Sequence, residues 1–129
     1  MKQGSLFSKE PSFKFKKIVR EHAEVYSSPV LLRQKIENHL EKVLQETRRN
    51  EFINVNLAMK IKDVCLILID ELTKESLEKQ NYITATINYF ITTSDEEEDL
   101  YSPLGFDDDA EIVNECLKLI GREDLLIEL

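Results

Sequence analysis

Residues 55–77, VNLAMKIKDVCLILIDELTKESL, decide the fold. Leu57, Ile61, Val64, Leu68 and Leu72 recur at three- and four-residue steps, the spacing of one face of a helix. Within that stretch Val64-Cys65-Leu66-Ile67-Leu68-Ile69 is apolar on every side, which suits a helix buried all round or a short buried strand. Helical periodicity on both flanks, and the lack of a second convincing strand, decide for one helix over 55–77. Apolar all round, it is expected to be the central helix of a bundle.

Composition agrees with that choice. Three Gly and three Pro in 129 residues leave little material for the many tight turns of a sandwich or barrel. A chain of this length, 42% hydrophobic, fits one domain with one core. The expectation is an all-α, single-domain bundle of four to five main helices plus a short C-terminal helix, with residues 1–11 as a loose tail and 12–129 as the domain.

Outward from the centre, the remaining helices follow from spacing and punctuation. From Ser12, the residues Phe15, Ile18, Val19, His22 and Tyr26 fall at helical steps, and Ser27-Ser28-Pro29 ends that helix. Ser28 and Pro29 also start the next one, as cap and first helical residue. Its stripe is Leu32, Ile36, Leu40, Val43 and Leu44, with Arg48 and Arg49 at the negative end of the helix dipole. A further helix is expected over 82–92, with Ile83, Ile87, Phe90 and Ile91 inward, although its β-branched residues lower the intrinsic propensity. Asp108-Asp109-Ala110-Glu111 resembles a capping box, Asp108 and Glu111 each satisfying an orphan amide. Ile112, Val113, Cys116, Leu117 and Ile120 then run to Gly121, a left-handed stop, before a short helix over 123–129.

Charge is distributed unevenly. The net charge of −8 divides into +5 over residues 1–50 and −13 over residues 51–129. An acidic molecule of this kind repels nucleic acid and anionic surfaces at long range, and the basic first helix lacks the interleaved aromatics and glycines of an RNA module. Packing of that basic helix near the acidic half of the same molecule is the simpler reading of the polarity; a basic face for an acidic partner is the sharper one. Phe13 and Phe15 among Lys14, Lys16 and Lys17 are compatible with a membrane-surface patch, but Phe15 in the core and lysines in water is the expected outcome. The longest apolar run is six residues, against about 20 for a spanning helix, so no membrane span is expected. Two cysteines, Cys65 and Cys116, make neither a disulfide framework nor a zinc site beside two scattered histidines. With no apolar leader at the start, the chain is expected in the cytoplasm.

The segment 89–109, YFITTSDEEEDLYSPLGFDDD, packs eight carboxylates around an aromatic pair and a Pro-Leu-Gly turn. Tyr89, Phe90, Asp95, Asp99, Gly105, Asp108 and Asp109 follow Y-F-x4-D-x3-D-x5-G-x2-D-D, and this resembles the core of the YkvA-like domain of unknown function. Thr93 and Glu98 stand where that family usually has proline. The resemblance implies a small bacterial helical protein or module, with no established activity, cofactor or catalytic residue to carry over, and so an interaction or structural role more than an enzyme.

The carboxylates themselves support two accounts. As structural groups, Asp95, Asp99 and Asp107 or Asp108 cap helical turns. As a site, Asp95, Asp99, Asp108 and Asp109 converge on a hard cation, Ca2+ or Mg2+, in a metal-binding domain or metal-dependent hydrolase, though without the EF-hand spacing. The structural account is favoured because Asp is the ordinary residue of caps and turns. Glu96, Glu97 and Glu98 form a solvated run that would also serve to dock a basic protein partner. No metalloprotease, P-loop, nucleophile-elbow or Glu-x-x-His di-iron motif is present, and neither histidine has a spaced acidic partner. No catalytic residue and no cofactor are nominated.

Overall fold

The computed structural model describes residues 10–24, 28–47, 54–94 and 106–128. Among the described residues it is all-α: α1 (Phe13–His22), α2 (Pro29–Thr47), α3 (Val55–Glu71), α4 (Leu77–Ser94) and α5 (Asp107–Ile120), with 3-10 turns at Leu72–Lys74 and Glu123–Leu125. No helix among them is long and apolar enough to cross a membrane.

The central helix is α4, not the 55–77 segment. It packs against α1, α2, α3 and α5, whereas α3 packs chiefly on α2 and α5. Ile83, Thr84, Ala85, Thr86 and Ile87 are five consecutive buried residues, so every side of α4 is covered there. The expected all-round burial of Val64–Ile69 is not seen: Ile67 is 37% exposed and Leu66 only part-buried. The two threonines explain why hydropathy pointed to the wrong helix. The Thr86 hydroxyl donates to the Tyr82 carbonyl at 2.8 Å and that of Thr84 to Asn81 at 3.3 Å, so each satisfies its polar group within its own helix and is buried like valine.

Helix ends follow side-chain capture. Ser12 Oγ accepts from the Phe15 amide at 3.1 Å and starts α1. That helix stops at His22, short of the expected Ser27-Ser28-Pro29, because α4 captures the departing backbone. Asn88 Nδ2 donates to the His22 carbonyl at 2.9 Å and the Glu24 amide donates to Thr84 Oγ1 at 3.1 Å. Tyr26 lies outside the described residues. Ser28 Oγ accepts from the Leu31 amide at 3.4 Å, as expected for its cap. In α2 the stripe of Leu32, Ile36, Leu40 and Val43 is buried, but Leu44 is exposed and His39 is buried.

The single helix expected over 55–77 is two helices. Ser76 separates them: its hydroxyl accepts from the Lys79 amide at 3.3 Å and its carbonyl from the Gln80 amide at 2.8 Å, an N-cap that starts α4 five residues before the expected position. Leu77, the last residue of the expected helix, is instead the first of α4 and is 65% exposed.

The capping box at Asp108 and Glu111 does not form either. The N-cap of α5 is Phe106, without a side-chain cap bond, and Asp108 stands in the first turn between Asp107 and Asp109. Three carboxylates at the positive end of the helix dipole stabilise it without that bond. Ile112, Val113, Cys116, Leu117 and Ile120 are buried as expected. Gly121 has φ +81 and ends the helix, and the Arg122 amide also reaches the Leu117 carbonyl at 2.8 Å.

The last helix expected over 123–129 is only a 3-10 turn followed by irregular chain. The Asn114 amide holds that chain in place of helical bonds, donating to the Ile127 carbonyl and accepting from its amide, both at 2.8 Å. Ile127 is thereby seated in the core.

Truncation tests the assignment of the centre. Ile87→Ala, in the covered part of α4, is expected to cost about 2–5 kcal/mol in denaturant unfolding. Ile67→Ala, in the apolar run of α3, is expected to cost about 1 kcal/mol or less. Comparable losses at the two positions would contradict it.

Candidate functional site

The described part of the acidic signature lies where the end of α4 meets the start of α5, with α1 laid across both. Tyr89 and Phe90 come from α4, Phe106 precedes α5, and Asp108 and Asp109 belong to its first turn. The Tyr89 hydroxyl donates to Asp108 Oδ2, and Lys14 Nζ on α1 donates to Oδ1. Both oxygens of this carboxylate therefore have a donor. The His22 ring meets Tyr89 edge-on, centroids 5.8 Å apart, so α1 touches both members of the pair, Asp108 through Lys14 and Tyr89 through His22.

A second tie stands beside the first. Glu115, two turns along α5, accepts from the Ser12 backbone amide at 2.6 Å and from its hydroxyl at 2.9 Å. The start of α1 is thus fixed to α5 by two carboxylates of one helix face. The expected packing of the basic helix near the acidic half is realised in the Lys14–Asp108 pair.

Beneath this polar surface the aromatics are packed against one another, one pair edge to face and one tilted. Phe90 lies 4.9 Å from the buried His39 ring at an interplanar angle of 86°, and 6.1 Å from Phe106 at 59°. Such pairs add about 0.5–1.5 kcal/mol beyond their burial. The two aromatic residues of the signature therefore serve different neighbours, Tyr89 the surface carboxylate and Phe90 the core.

Asp108 and Asp109 are neighbours in sequence but not in environment. Successive helical residues point about 100° apart, and while Asp108 keeps 42% of its side chain in solvent, Asp109 is 3% exposed. Asp109 is thus turned into the bundle while Asp108 faces outward. Asp95 and Asp99, the other two carboxylates of the expected cation set, and Glu96, Glu97 and Glu98 of the expected docking run, lie outside the described residues. Among the described residues no group of three or more His, Cys, Asp or Glu side chains is placed to hold a metal ion.

Electrostatics follow from these contacts. Partial burial works to raise the Asp108 pKa, but the hydrogen bonds from Lys14 and Tyr89 outweigh it and hold the carboxyl below its ordinary value. Lys14 is raised correspondingly, first by its hydrogen bond to Asp108. A carboxylate already bound to an ammonium and a phenol is a poor proton acceptor at neutral pH, and the arrangement is one of cross-linking. Burial pushes the thiol of Cys116 up to about 12 against a smaller opposing hydrogen bond from Thr86, and burial likewise raises Cys65. Both cysteines are free and buried, small hydrophobes with no nucleophilic character.

Sequence reading did not find the partners Lys14, His22, Ser12 and Glu115. The one signal for them was the opposite net charge of the two halves of the chain, which indicated an attraction without indicating its residues. No protein-family model matches the chain, and neither a curated protein nor a solved structure is significantly similar to it.

The Lys14–Asp108–Tyr89 contact makes stability depend on acid. Asp108 has a lowered folded-state pKa, so its contribution is present above the unfolded value of about 3.9 and is lost as pH falls through the folded one. Asp108→Asn is expected to cost about 1 kcal/mol at neutral pH, discounted for solvent screening. The gap to the parent protein should close below about pH 4. A gap that stays constant to lower pH would mean that the ionised carboxylate contributes nothing. Neither cysteine is expected to react with a thiol reagent until the protein unfolds; reaction in the native state would contradict their burial.

Proposed function

We propose that the chain is a small YkvA-like helical protein of bacterial type, acting in the cytoplasm as a non-catalytic interaction or structural module. Its partner is a protein with a basic surface that meets the acidic run Glu96, Glu97 and Glu98. The observation that carries this reading is the engagement of both Asp108 oxygens by Lys14 and Tyr89. A carboxylate spent on joining three helices supports a scaffolding role for the signature. The glutamates Glu96, Glu97 and Glu98, earlier in the same acidic stretch of sequence, are then the groups with charge to offer a partner.

Burial of Asp109 supports the same reading, since a cation at the surface beside Asp108 would have to draw Asp109 out of the protein interior. Two free buried thiols fit a reducing compartment. Rim charges of the Glu96–Glu98 type act mainly on the rate and salt dependence of association, so the partner is expected to bind faster at low ionic strength.

Two measurements test the proposal. Thermal unfolding in EDTA, in millimolar Ca2+ and in millimolar Mg2+ is expected to give one midpoint. A cation held at about 100 times its dissociation constant by the native state alone would add about 2.7 kcal/mol and several degrees. Such a shift, abolished by Asp108→Asn, would establish the metal-binding reading instead. Charge reversal in Glu96→Lys, Glu97→Lys and Glu98→Lys together is expected to leave the melting curve in place and remove the protein captured by the parent chain. Unchanged capture would overturn the docking assignment.

A further inference from the structure

We infer that the outer face of α1 is a docking surface for an anionic lipid bilayer, independent of the acidic run. Phe13, Lys16, Lys17 and Arg20 stand at steps of three, four and seven, and so share one side of the helix. Phe15 and Ile18 are buried on the opposite side, with Val19 and His22 part-buried beside them. Phe13 is 84% exposed, the most exposed of the large hydrophobic residues among those described, and it stands in the middle of the cationic arc.

The three cations around it are not committed elsewhere. Lys16, Lys17 and Arg20 are all exposed, and among the described residues none of them has an ion pair. Lys14, the remaining cation of α1, lies at the edge of the arc and is held by Asp108. Glu21 borders the same edge and is the single carboxylate on the helix. Residues 1–20 carry six Lys and Arg against one Glu, while the rest of the chain is strongly acidic.

An exposed aromatic ringed by cations on a convex helix face fits a planar anionic surface. The ring enters the headgroup boundary while the ammonium and guanidinium groups remain among lipid phosphates. Net charge does not forbid this. Screening limits repulsion from carboxylates elsewhere on the molecule to about 8 Å at physiological ionic strength, and the cations are the groups nearest the surface. An acidic protein segment would satisfy the cations equally but gives no use for an exposed phenyl ring among them.

The chain contains no tryptophan, so Phe13→Trp installs a single reporter at the centre of the face. With phosphatidylcholine vesicles containing phosphatidylserine, its emission is expected to shift to the blue and to be quenched by brominated acyl chains; phosphatidylcholine alone should do neither. The triple variant Lys16→Gln, Lys17→Gln, Arg20→Gln should weaken sedimentation of the otherwise unaltered chain with anionic vesicles by about a hundredfold, roughly fivefold per cation. Raised salt should weaken it likewise, and the melting temperature of each variant should match the parent. Absence of a blue shift, or binding untouched by the triple variant, would overturn the inference. So would a shift produced by polyglutamate or by raised protein concentration without quenching by brominated lipid, since that outcome assigns the face to an acidic protein.

Discussion

Enclosure of one helix on all sides is the constraint from which the rest of this structure follows. The middle of α4, Ile83 to Ile87, contains two threonines and two isoleucines among five residues, a composition that disfavours a free helix because each β-branched side chain loses rotamer freedom. Such a segment becomes helical only when packing returns more than the propensity costs. Four other helices supply that packing, and each contact has a geometric consequence. The contact with α1 ends that helix at His22, since Asn88 and Thr84 take the backbone groups that another turn would have used. The contact with α5 sets Tyr89 over Asp108.

The polar ties at the end of α4 are secondary to this burial but give it direction. Packing apolar faces fixes which helices touch far better than it fixes their register, because slippage by one turn replaces one hydrophobic side chain with another. Lys14 to Asp108, Tyr89 to Asp108 and Ser12 to Glu115 each exist at one register only. The exposed half of the pair lowers its Coulombic worth, so these contacts select an alignment more than they add to stability. Asn114 does the same for the chain after Gly121. One side-chain amide bonded to both backbone groups of Ile127 defines a position that a hydrophobic residue alone would leave free to slide.

How much of this was legible in the sequence depended on the kind of force involved. Periodic apolar residues identified each helix, and Phe15, Leu32, Ile61 and Val113 are buried where spacing put them. Boundaries that rest on local backbone chemistry were legible as well: Ser28 before Pro29 as the start of α2, and Gly121 with its positive φ as the end of α5. Boundaries set by a distant partner were not. The early end of α1 depends on residues 60 and 66 positions away. The missing capping box at Asp108 has the same origin, as a carboxylate reaching Lys14 and Tyr89 cannot also cap its own helix. Misplacing the centre came from choosing it by the longest apolar run, Val64–Ile69, a criterion that passes over threonine, although in a helix its hydroxyl has a carbonyl within reach and its methyl group can pack in the core.

The signature that draws attention in the sequence is, in its described part, the one the fold consumes most completely. Tyr89, Phe90, Phe106, Asp108 and Asp109 are each buried or bonded, so a change at any of them alters stability before it alters recognition. A residue whose bonding capacity is filled within the chain has little left to give a ligand, whatever its chemical type. Any recognition by this chain has to come from groups that folding leaves unspent. On α1 they are Phe13, Lys16, Lys17 and Arg20, the half of the helix that the bundle does not use. The same helix therefore separates two roles by angle alone. One side closes the core through Phe15 and Ile18, and the other holds three cations and a hydrophobic ring in water, where the exposed ring costs solvation and gives nothing back to the fold.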